Sequence, residues 1–507
     1  MFNKAGLTAL TSFLVASVSL NAAAQDQGPF TKSELTTSHS VMELTTVNFF
    51  APGTASLMAR GQDADDNKQF SFFEMNGGNT LASEPRLTVT MPEDAIFFDF
   101  AHIYSDEQES LLFLNSKGVQ VLDTATGEVK KLADVSSVYK QDGSPVFNQS
   151  NFAEDMNGDG LSDLIIPEFG GYRLLLNDGQ GGFASETRLD MQVEMRLRGD
   201  TPRYSQFPVH AFDANFDGRT DVVFQRDNSF LSFLQQEDGS YATKAEDYGF
   251  DIEIVGNSFK AQVASNERYN DQSDLAETVI NTIEDINGDG VMDIVTQTDR
   301  AKGVFNRSTT YGFHYGYESN GRLVFDKAPS SAVSMKGFTA NTRYIDFAKD
   351  GRKDFAGGSV NMGIGKIIGI LLSGSVSIPV MFYEQGEDGQ FSEDPNYRKK
   401  ISVDFDMSSG QSSVPVVEMT DIDGDGNKDL ILSKENESLR IYKASPGKKK
   451  MFAKRAIEID IDLPKNGEQL TTTDLNGDGK GDLVMHYDRL GGDGEAKRNK
   501  LVVLVAN

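Results

Sequence analysis

Nine-residue segments of the form Asp-x-(Asp/Asn)-x-Asp-Gly-x-x-Asp recur along this chain and place oxygen-bearing side chains at alternate positions of a short loop. Complete copies begin at Asp155 (DMNGDGLSD), Asp213 (DANFDGRTD), Asp285 (DINGDGVMD), Asp421 (DIDGDGNKD) and Asp474 (DLNGDGKGD). A sixth, DFAKDGRKD from Asp346, has Ala348 where the second ligand would stand. Oxygens at this spacing, turned inward by a bend at glycine, suit a hard cation such as calcium, which takes about six to eight oxygen ligands. Isolated Asx turns would explain one acidic loop, but turn formation does not demand three or four carboxyl and amide groups at fixed offsets. Five complete loops therefore predict about five calcium ions, with the sixth loop incomplete.

In the first copy Asp155, Asn157, Asp159 and Asp163 would give side-chain oxygens, Leu161 its backbone carbonyl, and Gly160 the sharp turn. The same roles fall to Asp213, Asn215, Asp217, Arg219 and Asp221, and to Asp285, Asn287, Asp289, Val291 and Asp293. They fall again to Asp421, Asp423, Asp425, Asn427 and Asp429, and to Asp474, Asn476, Asp478, Lys480 and Asp482. In the incomplete copy Asp346, Asp350 and Asp354 remain. No Glu stands at the final ligand position of an EF-hand loop, and the flanking runs are of strand type, so these are not EF-hands.

The elements that must hold the loops follow from the same register. Each complete copy runs into a short apolar segment: LIIPE after Asp163, VVFQ after Asp221, IVTQ after Asp293, LILS after Asp429 and LVMH after Asp482. A second run and a turn come next, clearest in YRLLLNDGQGGF from Tyr172 to Phe183, where Asn, Asp and Gly allow the positive φ of a hairpin. Loops lie 53 residues (Asp421 to Asp474) to 75 residues (Asp346 to Asp421) apart, room for four strands and their turns. The expectation is an all-β chain, a β-propeller of four-stranded antiparallel blades. Two worn copies upstream, around Asp99 (DFAHIYSDEQES, then LLFLN) and around Asn48 (NFFAPGTAS, then LMA), bring the count to eight, or seven if the Asn48 segment is not a blade. The final run Leu501 to Asn507 (LVVLVAN) breaks off where other repeats turn, and Asp26 to Phe30 (DQGPF) followed by TKSEL supplies that turn and the next strand. The N-terminal strand is thus expected to complete the last blade and close the ring, leaving no open sheet edge.

These motifs resemble the FG-GAP, or VCBS-repeat, family, whose blades are those of the integrin α-subunit head. The resemblance covers nearly all of the chain after the leader and implies a calcium-binding propeller. Ala348 and the two worn repeats depart from the pattern, as does a count of eight where most of the family is similar in having seven blades.

Composition bounds the rest. Lys4, the apolar stretch from Leu7 to Leu20 and Ala22-Ala23-Ala24 before Gln25 read as a signal peptide over residues 1–24, leaving residues 25–507 as one propeller domain that is secreted, periplasmic or at the cell surface. No cysteine is present, so disulfides and thiol chemistry are excluded. A formal charge of -28 excludes nucleic acid or an anionic membrane as a partner, since both demand a basic surface. The five complete loops alone hold sixteen carboxylates, whose mutual repulsion calcium would relieve.

The function expected is a non-enzymatic binding scaffold for an extracellular protein or carbohydrate, met on the face opposite the acidic loops, where variable loops gather. Arg300, Lys302, Arg307, Arg489, Lys497 and Arg498 are candidate contacts there. Two segments stand out on the way: Phe259 to Ile283, expected to hold a helical insertion, and the apolar Ile364 to Met381, expected to form a long buried hairpin. The alternative is a glycan-active enzyme, because propellers similar to this one occur in polysaccharide lyases. Its best candidates are His314 with Tyr311, Tyr315 and Tyr317. There is no G-x-S-x-G or H-E-x-x-H motif, and His39, His102, His210, His314 and His486 are scattered singly.

Overall fold

Four-stranded antiparallel sheets follow one another along the chain, each a simple meander. The computed structural model describes residues 25–77, 79–140, 148–198, 201–254, 275–302, 306–361, 363, 365–366, 373–406, 411–412, 414–445, 451–488 and 492–507. The expected leader lies outside them. Blades 1 to 7 span residues 43–90, 97–134, 153–189, 209–249, 275–336, 338–412 and 417–460. Blade 8 joins Leu470–Thr473, Asp482–His486 and Lys500–Ala506 to the N-terminal strand Phe30–Thr36, with Gln25–Gln27 paired outside it. The register runs from Phe30 opposite Ala506 to Thr36 opposite Lys500. Asn507 adds to the seam, its backbone N–H donating to the Pro29 carbonyl at 2.8 Å.

Each hydrophobic core is shared between successive blades. Phe49, Phe70 and Phe72 of blade 1 pack with Phe98 and Phe113 of blade 2, and similar clusters join every later pair up to blades 7 and 8. One more cluster puts Leu57, Ala59 and Phe73 of blade 1 against Val484, Leu501 and Val503 of blade 8. Eight cores between eight blades make a closed ring, a β-propeller. A strand covered on both faces reads as an unbroken apolar run, which is why Leu501 to Ala506 is buried at every residue.

Alternation of strand direction sorts the connections. Links from the first to the second strand, and from the third to the outer strand, lie at one end of the blades. Links from the second to the third strand, and those between blades, lie at the other. All six Asp-rich loops join first to second strands and so share the first end, here the acidic end.

Two expectations fall in blades 5 and 6. Leu275–Glu284 (LAETVINTIE) is the first strand of blade 5, paired with Asp293–Ala301, and not part of a helix. Its Thr, Val and Ile favour a pleated, half-buried surface; residues 255–274 lie outside the described set. Of the apolar run from Ile364 to Met381, expected to form one buried hairpin, residues 364 and 367–372 lie outside the described set. Ser375–Tyr383 is the third strand of blade 6 with mixed burial, while Gly365 and Lys366 before it are exposed. Among the described residues Val376 and Ile378 of that strand cluster with Val360 and Val403.

Candidate metal centres

Within the first complete loop every acidic side chain organises backbone. The Asp155 carboxylate accepts N–H bonds from Gly158 at 2.7 Å and Gly160 at 2.8 Å. Asn157 Oδ1 accepts from Asp159 at 2.9 Å, and Asp159 Oδ1 accepts from Leu161 at 2.8 Å. The pattern at the first and fifth positions recurs from Asp213, Asp285, Asp346, Asp421 and Asp474. Ala348 removes an oxygen from the sixth loop without disturbing this frame.

The ninth position differs in kind. Asp163, Asp221, Asp293, Asp354, Asp429 and Asp482 each open the second strand of a blade and are at most 1% exposed. One oxygen accepts the N–H two residues into the loop, as from Met156 to Asp163 at 3.0 Å. The other accepts an N–H at or just past the end of the third strand, as from Asn177 at 2.8 Å. Gln235, Gly316, Gln385, Ala444 and Ala506 donate equivalently in the other five blades. The carboxylate thus ties three strand ends together. Burial outweighs these donors and pushes the carboxyls up, to about 7 for Asp163 and Asp293 and to about 6 for Asp221, Asp354, Asp429 and Asp482. A divalent cation at the loop would oppose that shift.

Convergence of charge is greatest in blade 7. There Asp421, Asp423 and Asp429 bring carboxylate oxygens within 4.8 Å of one another. Asp425 instead accepts from the Asn427 backbone at 2.7 Å. Asn stands at the third position in the other four complete loops, and its amide donates to the fifth-position Asp, as Asn157 does to Asp159 at 2.9 Å. Carboxylate and amide oxygens with no soft ligand fit a hard cation. Cationic side chains also reach in: Lys443 Nζ lies 2.6 Å from Asp423, Arg219 pairs with Asp217, and Arg352 pairs with Asp350.

A further constraint was missed in the sequence, although glycine at the fourth position of four loops signals it. That residue is left-handed in all six: φ is +81° at Gly158, +76° at Gly288, +73° at Gly424 and +72° at Gly477, but also +61° at Phe216 and +60° at Lys349. Left-handed backbone costs a residue bearing Cβ about 1–2 kcal/mol, so the N–H bonds to the first Asp must hold these two loops in shape.

The worn repeats carry no loop. In blade 2 the first strand, Phe97–Ser105, runs straight past Asp99 into a tight hairpin. In blade 1 the hairpin turns at Pro52-Gly53 between Ala51 and Thr54. Buried Asp99, pushed up to about 7 by desolvation, accepts instead from Phe152 and Ala153 of blade 3 at 3.0 and 3.1 Å.

The Tyr-His group does not assemble into a site. His314 is buried, with Nδ1 3.1 Å from the Asp326 carbonyl. Tyr311 is buried too, Tyr315 donates to the Gly389 carbonyl, and exposed Tyr317 donates to Asp326 at 3.1 Å. Of the basic candidates, Lys497 pairs with Asp462 at 2.6 Å and Arg498 with Glu495 at 3.1 Å, while the Arg307 guanidinium lies 4.8 Å from the Phe338 ring centre. Arg300 and Lys302 are exposed, and Arg489 lies outside the described residues.

Eight four-stranded blades closed by the N-terminal strand, six bearing Asp-rich loops at one end, define a repeat-built propeller. The FG-GAP-like repeat family matches this chain over residues 155–224 and 421–485. No curated protein matches it. Among solved structures it is similar to an Agrocybe aegerita lectin described as recognising non-reducing terminal N-acetylglucosamine, at 16% identity and a TM-score of 0.41, over 94% of this chain and 97% of that one. It is also similar to the V. cholerae biofilm matrix protein Bap1, at 12% identity and a TM-score of 0.25, over 92% and 77% of the two chains. Likenesses of this size carry no argument about a ligand.

Two outcomes follow. Asp293→Ala strands the N–H groups of Ile286, Asn287 and Gly316; at about 1–3 kcal/mol for a buried unsatisfied group, it is expected to cost about 3 kcal/mol or more in urea unfolding even with EDTA. Asp289→Ala, on the exposed part of the same loop, is expected to matter mainly when calcium is present. Burial also holds His486 down to about 4. Its unfolded pKa is near 6.5, so the unfolded chain binds the extra proton between about pH 4 and 6.5, and stability falls as pH drops through that window by up to about 1.4 kcal/mol per unit for this group. His486→Asn is expected to remove this contribution, changing the slope of stability against pH between about pH 4 and 6.5 by up to about 1.4 kcal/mol per unit relative to the parent protein; an unchanged slope would contradict it.

Proposed function

We propose that this protein is an exported, calcium-stabilised binding scaffold for a protein or carbohydrate ligand. The observation that carries the calcium reading is the repetition of one acidic loop frame at one end of the ring, with three carboxylates within 4.8 Å in blade 7. Ions in the five complete loops would hold the loop carboxylates together and offset part of the -28 charge.

The binding reading rests on a rigid ring with unlike connections at its other end. There the strands Glu194–Arg198 and Thr201–Ser205 form a hairpin between blades 3 and 4. Met195 on that hairpin is 50% exposed, and Phe169 beside it is 62% exposed. The Phe169 ring stands edge-on to Tyr204 at 5.6 Å. An exposed aromatic group on a stiff frame supports a ligand at this end, where Arg300 and Lys302 are also exposed.

Calorimetry tests the calcium reading. With dissociation constants near 10⁻⁴ to 10⁻³ M, about tenfold excess calcium adds roughly 1.4 kcal/mol per site. The protein is expected to bind about five ions, and its melting temperature to fall sharply in EDTA; an unchanged melting curve would refute the reading. Export is tested by N-terminal sequencing of protein recovered outside the cytoplasm, expected to begin close to Gln25. A chain found intact from Met1 in the cytoplasm would exclude it.

A further inference from the structure

The acidic end is interrupted where blades 1 and 2 lack a loop, and clefts open at that place. One, of about 610 Å³, lies between the loop of blade 8 and blade 1 and is lined by Asn48, Glu74, Asn76, Asn79, Asp474 and Asn476, with Thr54 at its edge. The blade 1 hairpin is too short to fill the space that a nine-residue loop would take. A second cleft, of about 270 Å³, lies on blade 2 and is lined by Tyr104, Gln108, Glu109, Asp123 and Lys130 among others. The two abut across the blade 1 hairpin. Glu109 accepts the Asn48 N–H at 2.7 Å, and Gln108 donates to the Phe49 carbonyl at 2.9 Å.

The lining chemistry is specific. Amide side chains offer a donor and an acceptor in one plane, and with carboxylates they match the adjacent hydroxyls of a sugar ring. Asn79 is already fixed, donating to the Ala506 carbonyl at 3.3 Å, and Asn476 reaches Asn79 at 3.4 Å, so that wall is preorganised. Tyr104 is 58% exposed. Its ring packs on the blade 3 turn so closely that a Cβ on Gly181 would come within 2.3 Å. One part of the ring is therefore held and another is free to stack on the apolar face of a sugar. Among the described residues no Lys or Arg lines the larger cleft, and Glu74 there is already paired with Arg86, so no cationic side chain is on hand to hold an anionic ligand.

We propose that blades 8, 1 and 2 form a groove for a neutral oligosaccharide at the acidic end, with one sugar in the cleft beside Asn48 and another stacked on Tyr104. This deepens the binding-scaffold reading and is independent of a ligand at the opposite end.

The test is isothermal titration of the calcium-saturated full-length protein with the tetraoses of N-acetylglucosamine, cellulose and mannan, with tetragalacturonate as the acidic probe. Thr54→Phe fills the larger cleft from an exposed position, Tyr104→Ala removes the platform, and Phe169→Ser alters the opposite end; equal melting temperatures would show that each variant folds. At least one neutral tetraose is expected to bind, at least tenfold more weakly to Thr54→Phe and to Tyr104→Ala, and equally well to Phe169→Ser. Absence of neutral binding, preference for tetragalacturonate, or binding that survives both groove variants overturns the groove. If binding survives both but is lost in Phe169→Ser, the sugar belongs to the opposite end, and the binding-scaffold reading stands without the groove.

Discussion

Each blade of this protein is apolar on both faces and has no core of its own; its side chains are buried only against the blades before and after it. Phe49 and Phe72 stack at 4.1 Å within blade 1, yet their cluster is completed by Phe98 and Phe113 of blade 2. A row of such sheets would leave two wet apolar faces at its ends. Closing the row into a ring removes both, and the seam is made by seven residue pairs between Phe30–Thr36 and Lys500–Ala506. A chain without cysteine depends on this closure, because no covalent link joins its ends.

The acidic loops are built on the same frame and serve it. The ninth-position aspartate is buried at a place where three strand ends meet, and its two oxygens take N–H groups that would otherwise lack partners. Carboxylates elsewhere in the loop are more exposed and are bent inward by their own N–H bonds. A cation held there would strengthen an arrangement already shaped by hydrogen bonds. In the incomplete loop of blade 6 the frame persists while Arg352 pairs with Asp350. The hydrogen-bonded frame therefore does not depend on the third-position oxygen that Ala348 lacks.

Where the loop is absent the surface changes character. Blades 1 and 2 end in tight hairpins, and the missing bulk leaves polar clefts beside the loop of blade 8. Loss of a ligand-bearing loop is usually read as decay of a repeat. Here it leaves concavity at the acidic end of the ring, and concavity is what recognition of a small polar ligand needs.

Local patterns settled much of this in advance. Loop spacing, the apolar run after each ninth-position Asp and the broken repeat at the two termini gave the strand order, the closing strand and a count of eight blades with seven as the alternative, because each depends on residues near one another or on a period. The role of the ninth aspartate was not legible, since its second donor, such as Gly316 for Asp293, lies a full hairpin away. Neither was the mixed burial of Ser375–Tyr383, whose apolarity says nothing about whether a neighbour covers it. His314 and its tyrosines looked alike in sequence and were parted by the ring, which buried some against blade 6 and left Tyr317 at the surface. The order of the blades followed from sequence alone; which surfaces face each other, and where a gap opens between them, was decided only when the ring closed.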